Sequence, residues 1–177
     1  NVKYFVEHYE DQFYIMTNDK AVNFKIMKTP VHKPEKKFWK PWLEHRANRS
    51  ITGFHAYRNF LVLTLREKGS EEIYITNEKA KPLQKVQLPE DEHDIMFWSE
   101  TEYESPTIRF TYNSLITPRT VFDYDVARGK LVVKKQQKVP RYNRKDYAST
   151  RVWANNNGVR IPVVLAYKKK TLRKPAP

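Results

Sequence analysis

The sequence predicts an all-β chain of consecutive four-stranded antiparallel units followed by a hairpin of a different kind, and three observations lead there. Aromatic residues make up 14% of the 177 residues while glycine occurs only four times, a composition that suits pleated, half-buried surfaces. No segment of helical length shows a 3.6-residue apolar period. Most telling is an internal repeat. Adding 47 to the number carries Tyr14 to Leu61 and Ile108, Met16 to Leu63 and Phe110, and Thr17 to Thr64 and Thr111. For the following strand the offset reads as 49, taking Phe24 to Ile73 and Phe122, and Ile26 to Ile75 and Tyr124. The hairpin between the two strands would then grow by two residues per copy. Four short strands repeated within roughly 40 to 50 residues are the signature of β-propeller blades, whereas tandem β-sandwiches would need about 100 residues each.

In the first copy, strand signals fall at Tyr4–Glu7, Gln12–Thr17 and Asn23–Lys28, each bounded by polar turn residues. A loop with Pro30, Pro34 and Pro41 follows, and its Phe38, Trp39 and Trp42 predict a packed outer strand. The second copy reads Ile51–Tyr57, Phe60–Leu65, Glu72–Thr76 and Gln84–Leu88. In the third, the strands are Ile95–Trp98, Thr107–Asn113, Thr120–Asp125 and Lys130–Lys135.

The pattern changes after Lys138. Val139 to Asp146 is a polar connector, and the runs Tyr147–Ala154 and Val159–Lys168 flank Asn155-Asn156-Asn157-Gly158. An Asn-Gly pair between apolar-rich runs marks a tight hairpin, since both residues tolerate positive φ. Pro162 belongs on a strand edge or at a strand start, because it cannot donate to a ladder. The expected organisation is therefore three blades over residues 1–138, a connector over 139–146, and over 147–177 the first hairpin of a second domain.

The formal net charge is +13. Lysine and arginine are spread over loops and strand ends and thicken only at Lys168–Lys170, Arg173 and Lys174, which favours a solvated face and a basic linker. A basic binding scaffold for nucleic acid or a protein partner is the alternative. No apolar run approaches the roughly 18 residues of a membrane span, and no signal-peptide pattern opens the chain. With no cysteine, a cytoplasmic setting is expected.

Residues with chemistry are few in pattern. The serines lie at 50, 70, 99, 105, 114 and 149, none within G-x-S-x-G, so no catalytic residue is assigned. Histidines at 8, 32, 45, 55 and 93 lack metal-ligand spacing, and no metal site is expected. His8 and His55, 47 apart, read as equivalent structural positions near a blade turn. The acidic groups Glu90-Asp91-Glu92 with Asp94, and Glu100, Glu102 and Glu104, read as solvated loops rather than docking sites for basic peptides. Aromatics among basic residues at Lys37–Trp42 read as core rather than as a base-stacking platform.

Blades bury their faces against neighbours, and closure takes about four to eight of them. Three copies are thus expected to belong to a longer array with further blades before Asn1, and the segment made alone is expected to associate through its open faces.

Tyr112-Asn113-Ser114-Leu115-Ile116-Thr117-Pro118 with Val121–Asp125, then Lys134–Val139, Tyr147, Arg151–Ala154 and Gly158–Lys168, resembles the last blade and domain crossing of the prolyl oligopeptidase family of serine peptidases, especially its oligopeptidase B (protease II) branch. The resemblance implies a cytosolic, cofactor-free enzyme in which a seven-bladed propeller caps a Ser-Asp-His site of an α/β-hydrolase domain. It implies short peptide substrates, cut after Arg or Lys in the oligopeptidase B type, and neither nucleic-acid nor membrane partners. By the same resemblance Val139, Pro140, Arg141 and Tyr142 match one interdomain hinge, Arg151 to Tyr167 matches the first hydrolase hairpin, and the propeller's partner is its own catalytic domain. The catalytic residues and the pocket for a basic side chain would then lie beyond Pro177.

Overall fold

The computed structural model describes residues 1–67, 69–77, 83–97 and 102–173. Trp98, Ser99, Glu100, Lys174 and Pro177, named above, lie outside the described residues. The chain divides into two compact units, residues 1–87 with 101–106, and residues 88–100 with 107–177.

The first unit holds two four-stranded antiparallel sheets. One is β1 (Tyr4–Tyr9), β2 (Gln12–Thr17), β3 (Lys25–Pro30) and β4 (Lys40–Leu43), in that spatial order. The other is β5 (Arg49–Tyr57), β6 (Phe60–Glu67), β7 (Ser70–Thr76) and β8 (Gln84–Lys85). Sequential neighbours pair because two-residue turns such as Glu10-Asp11 and Arg58-Asn59 return the chain at once. The outer strand foreseen around the tryptophans is β4, and Trp42 packs into the shared core. Tyr14, Trp42 and Phe54 meet there with ring centroids 5.1 to 5.7 Å apart. Around them lie Tyr9, Met16, Ile26, Ile51, Leu61, Leu63 and Leu65. One core drawn from both sheets is the packing expected of adjacent blades.

In the second unit, β9 (Asp94–Phe97), β10 (Thr107–Asn113), β11 (Thr120–Asp125) and β12 (Lys130–Gln136) form a third such sheet over buried Ile108, Phe110, Tyr112, Phe122 and Tyr124. A two-stranded sheet follows, β13 (Tyr147–Asn156) and β14 (Val159–Lys168). Its turn is Asn157-Gly158, with φ of 50° and 83°, the two positive values that a type I′ turn demands. Counting from that turn, pairs alternate between hydrogen-bonded and not. Pro162, opposite Trp153, is the fourth pair out, where its nitrogen faces away from the ladder.

Besides several strands that run up to two residues longer, four details differ from the sequence reading. The third strand starts at Lys25, because Phe24 has φ 63° and closes a turn onto the Ala21 carbonyl. At the fourth strand of the second copy, only Gln84 and Lys85 form strand. Met16 pairs with Ile26, Leu63 with Tyr74, and Phe110 with Phe122, so steps of 47 and 49 do not hold together: with the second strand kept at 47, the third-strand step is 48 and its hairpin grows by one residue per copy. At Ile26 polarity could not separate the two, since its alternative matches Tyr74 and Ile75 are both large and non-charged. Finally, His8 pairs with Phe13 and His55 with Val62. His55 is therefore one pair further from its turn than His8, and the two are not equivalent positions.

Apolar surface remains on β1, where Tyr4, Phe5 and Val6 are more than half exposed, and on β12 at Val132 and Val133.

Candidate functional site

The densest polar construction in the second unit lies where the chain leaves β12. Its foundation is the Tyr112–Pro118 segment linking β10 to β11. Ser114 shapes that turn, its Oγ accepting from the amides of Ile116 at 3.1 Å and Thr117 at 2.8 Å, while its own amide donates to the Thr117 carbonyl. Such a serine turn holds Thr117 with its hydroxyl turned inward. Thr120 then donates to the Pro118 carbonyl at 2.7 Å, closing the entry to β11.

Glu90, just before β9, is the acceptor on which this construction converges. Its side chain is only 6% exposed. Oε2 accepts from the Tyr112 hydroxyl, and Oε1 accepts from Thr117 Oγ1 at 2.8 Å and from Arg144 Nε at 2.8 Å, with Arg144 Nη2 closing on the same oxygen. Arg144 Nε also lies 2.9 Å from Thr117 Oγ1. Burial alone would push the Glu90 carboxyl upward, but the donors Tyr112, Arg144 and Thr117 outweigh it and hold the group below its ordinary range. Tyr112 is driven the other way, by burial first and then by the adjacent carboxylate, so it stays a protonated donor. His93 stacks on the Tyr112 ring, with centroids 5.4 Å apart.

The connector wraps over this base. Of its expected hinge residues, Val139, Pro140 and Arg141 are exposed, and Arg141 takes a left-handed φ of 59°. Tyr142 is half-buried: its hydroxyl donates to the Ile116 carbonyl at 2.5 Å, and its ring stacks on Tyr147 at 4.9 Å. Asn143 caps a single 3-10 turn, Arg144–Asp146, by accepting from the Lys145 amide. That turn aims Arg144 back at Glu90. A second ion pair, Arg151 of β13 with Glu92, lies on the hairpin, and both side chains are largely buried. Ser114 to Pro118 with Gln137, Val139 and Tyr142 line a small open cavity of about 180 Å³.

Two members of the acidic cluster therefore depart from the solvated-loop reading: the Glu90 and Glu92 side chains are largely buried and paired across the chain, because the connector brings Arg144 and β13 brings Arg151 to them, while Asp91 and Asp94 are exposed. In the other group, Glu104 is exposed and meets Arg58 at 2.6 Å. Further cations are held on the sheets, as in the bidentate Arg109–Asp123 pair at 2.6 and 2.8 Å with Lys134 at 3.8 Å from the same carboxylate. Phe38 is half-buried and covered by Lys33 and Lys37, 5.6 and 4.9 Å from its ring, and Trp39 donates to the Pro34 carbonyl. Ser50, Ser70 and Ser149 lie within strands, and Ser105 and Ser114 in turns. Glu90, Glu92, Arg144 and Arg151 were not picked out as site residues. The usable signal was the acidic triplet followed by two arginines of the crossing segment, but nothing local links them.

This geometry, repeated blade sheets and a tied crossing segment, is that of a β-propeller leading into a further segment. A family model described as the prolyl oligopeptidase N-terminal β-propeller domain matches residues 1–137, and the chain belongs to that family. Dipeptidyl aminopeptidase BI of Pseudoxanthomonas mexicana is 31% identical over 98% of this chain and 24% of its own length. For protease 2 of Moraxella lacunata the identity is 27%, over 99% of this chain and 25% of the relative. Oligopeptidase B from Trypanosoma brucei, a closed form with covalently bound antipain, superposes with TM-score 0.80 at 26% identity, covering 99% of this chain and 26% of that one. The chain thus spans about a quarter of the length of the relatives it matches.

Proposed function

We propose that this chain is the substrate-gating propeller portion of a cytoplasmic serine oligopeptidase that hydrolyses short peptides after Arg or Lys. The carrying observation is that the similarity to protease 2 and to oligopeptidase B extends over 99% of the chain, past the propeller match that stops at residue 137. On this reading Val139–Asp146 is the hinge and β13–β14 opens the catalytic domain, which supplies the nucleophile. The propeller wall then restricts entry to peptides thin enough to pass, with no cofactor and no nucleic-acid partner involved. Among the described residues no helix is long and apolar enough to cross a membrane.

The test is hydrolysis by the full-length protein of fluorogenic peptide amides ending in Arg, Lys or Pro. Turnover of the Arg and Lys amides, abolished by a serine-reactive fluorophosphonate and absent on folded proteins, is expected. Exclusive cleavage after Pro would overturn the specificity, and no fluorophosphonate-sensitive cleavage of any peptide would overturn the peptidase reading.

A further inference from the structure

Arg144 and Glu90 differ sharply in exposure, 47% against 6% for their side chains. If the guanidinium leaves, it reaches water directly. The carboxylate left behind is not orphaned, because Tyr112 and Thr117 still donate to it. A buried ion pair normally resists breaking because the abandoned charge has no other partner. Here that penalty is reduced by two hydroxyls that belong to the third sheet and its turn, so one partner can depart reversibly.

The rest of the connector has the same character. Its anchors among the described residues include the Tyr142 hydroxyl on the Ile116 carbonyl, and beyond it Arg151 on Glu92. Its internal amide bonds are short-range, from Tyr142 to the Val139 carbonyl at 3.3 Å and from Asp146 to the Asn143 carbonyl at 3.0 Å. Arg141 sits in a left-handed conformation that only glycine adopts without cost.

We propose that Glu90–Arg144 and Glu92–Arg151 form a two-point ionic latch, in which Arg144 releases while Glu90 stays seated on the sheet, and that this release sets how often the connector and β13–β14 lift away. Because the Arg144 guanidinium is half in solvent, dissolved salt competes with Glu90 for it. Opening is therefore tuned by ionic strength. The consequence for peptide entry rests on the hinge reading above; the latch itself does not.

Hydrogen exchange read by mass spectrometry on the full-length protein tests this without any peptidase assay. In the wild type, the connector peptide holding the Tyr142, Lys145 and Asp146 amides is expected to exchange several-fold faster when salt is raised from about 20 mM to about 500 mM. Arg144→Gln should exchange there about tenfold faster at low salt and lose the salt response, with Arg144→Lys intermediate, since one charge without a fork keeps part of the contact. Glu90→Gln, acting from the sheet side, should accelerate the same peptide. Amides of β10 and β11 should be unchanged in Arg144→Gln. The latch is overturned if Arg144→Gln stays within about twofold of the wild type, keeps the salt response, or accelerates β10 and β11 equally. If the exchange pattern holds while hydrolysis ignores Arg144→Gln, the latch stands and the gating reading fails.

Discussion

Arg144 Nε lies 2.8 Å from Glu90 Oε1 across 54 residues of chain, and that contact joins the start of the third sheet to the segment that leaves it. Glu90 is the more buried partner, and its pKa is lowered against the cost of burial by Tyr112, Arg144 and Thr117. A carboxylate with a depressed folded pKa contributes stability that is fully present above its unfolded value and lost as pH falls through the folded one. Glu90→Gln should therefore lower the stability of the second unit by about 1.5–3 kcal/mol at neutral pH. The difference from wild type should shrink steadily once the pH drops below the ordinary carboxylate value of 4.5. Denaturant titrations of the full-length protein at pH 7 and under acid, read by exchange in β10 and β11, check both halves.

Gly53 interrupts β5 at a register shift, and a Cβ there would stand 2.5 Å from Thr64 Oγ1. That hydroxyl also accepts from Thr52 at 3.0 Å. Gly53→Ala should cost about 1–3 kcal/mol by overpacking. The combination with Thr64→Ala should lose less than the sum of the two single changes, because the clashing atom is gone. A double-mutant cycle on melting or denaturant midpoints measures this.

At the Asn157-Gly158 turn the situation is opposite, for a Cβ on Gly158 meets nothing within 4 Å while φ is +83°. Gly158→Ala should therefore act through backbone strain alone, about 1–2 kcal/mol. Faster exchange confined to β13 and β14, with the third sheet untouched, is the expected readout.

Phe54 is 6% exposed and touches both Tyr14 and Trp42, so it fastens the first two sheets together. Phe54→Ala should destabilise the first unit by about 3–5 kcal/mol, more than any single change at the rim of β1. Tyr4→Ala, at a side chain 65% exposed, should fall within about 0.5 kcal/mol of wild type. Unfolding followed by tryptophan fluorescence compares the two.

The order of strands and the Asn-Gly hairpin were legible because they depend on neighbours in sequence. Alternation places side chains on faces, and turn residues such as Asn157 and Gly158 mark where the chain must reverse. The Tyr112–Pro118 motif was equally visible, since Ser114 builds its turn within three residues. What polarity could not show was register. Tyr74 and Ile75 are both large and non-charged, so polarity left the match of Ile26 at either one equally plausible.

The charges were harder still. Glu90 reads like any acidic loop residue until the connector brings Arg144 beside it, and Glu92 likewise until β13 presents Arg151. By itself, then, the sequence determined that this protein is a series of four-stranded blades ending in a hairpin, because strand periodicity and turn chemistry act over a few residues. Only the tertiary structure decided which strand residues face one another and which carboxylates are buried and paired. Those outcomes depend on desolvation and on donors that meet across tens of residues, and no local pattern encodes them.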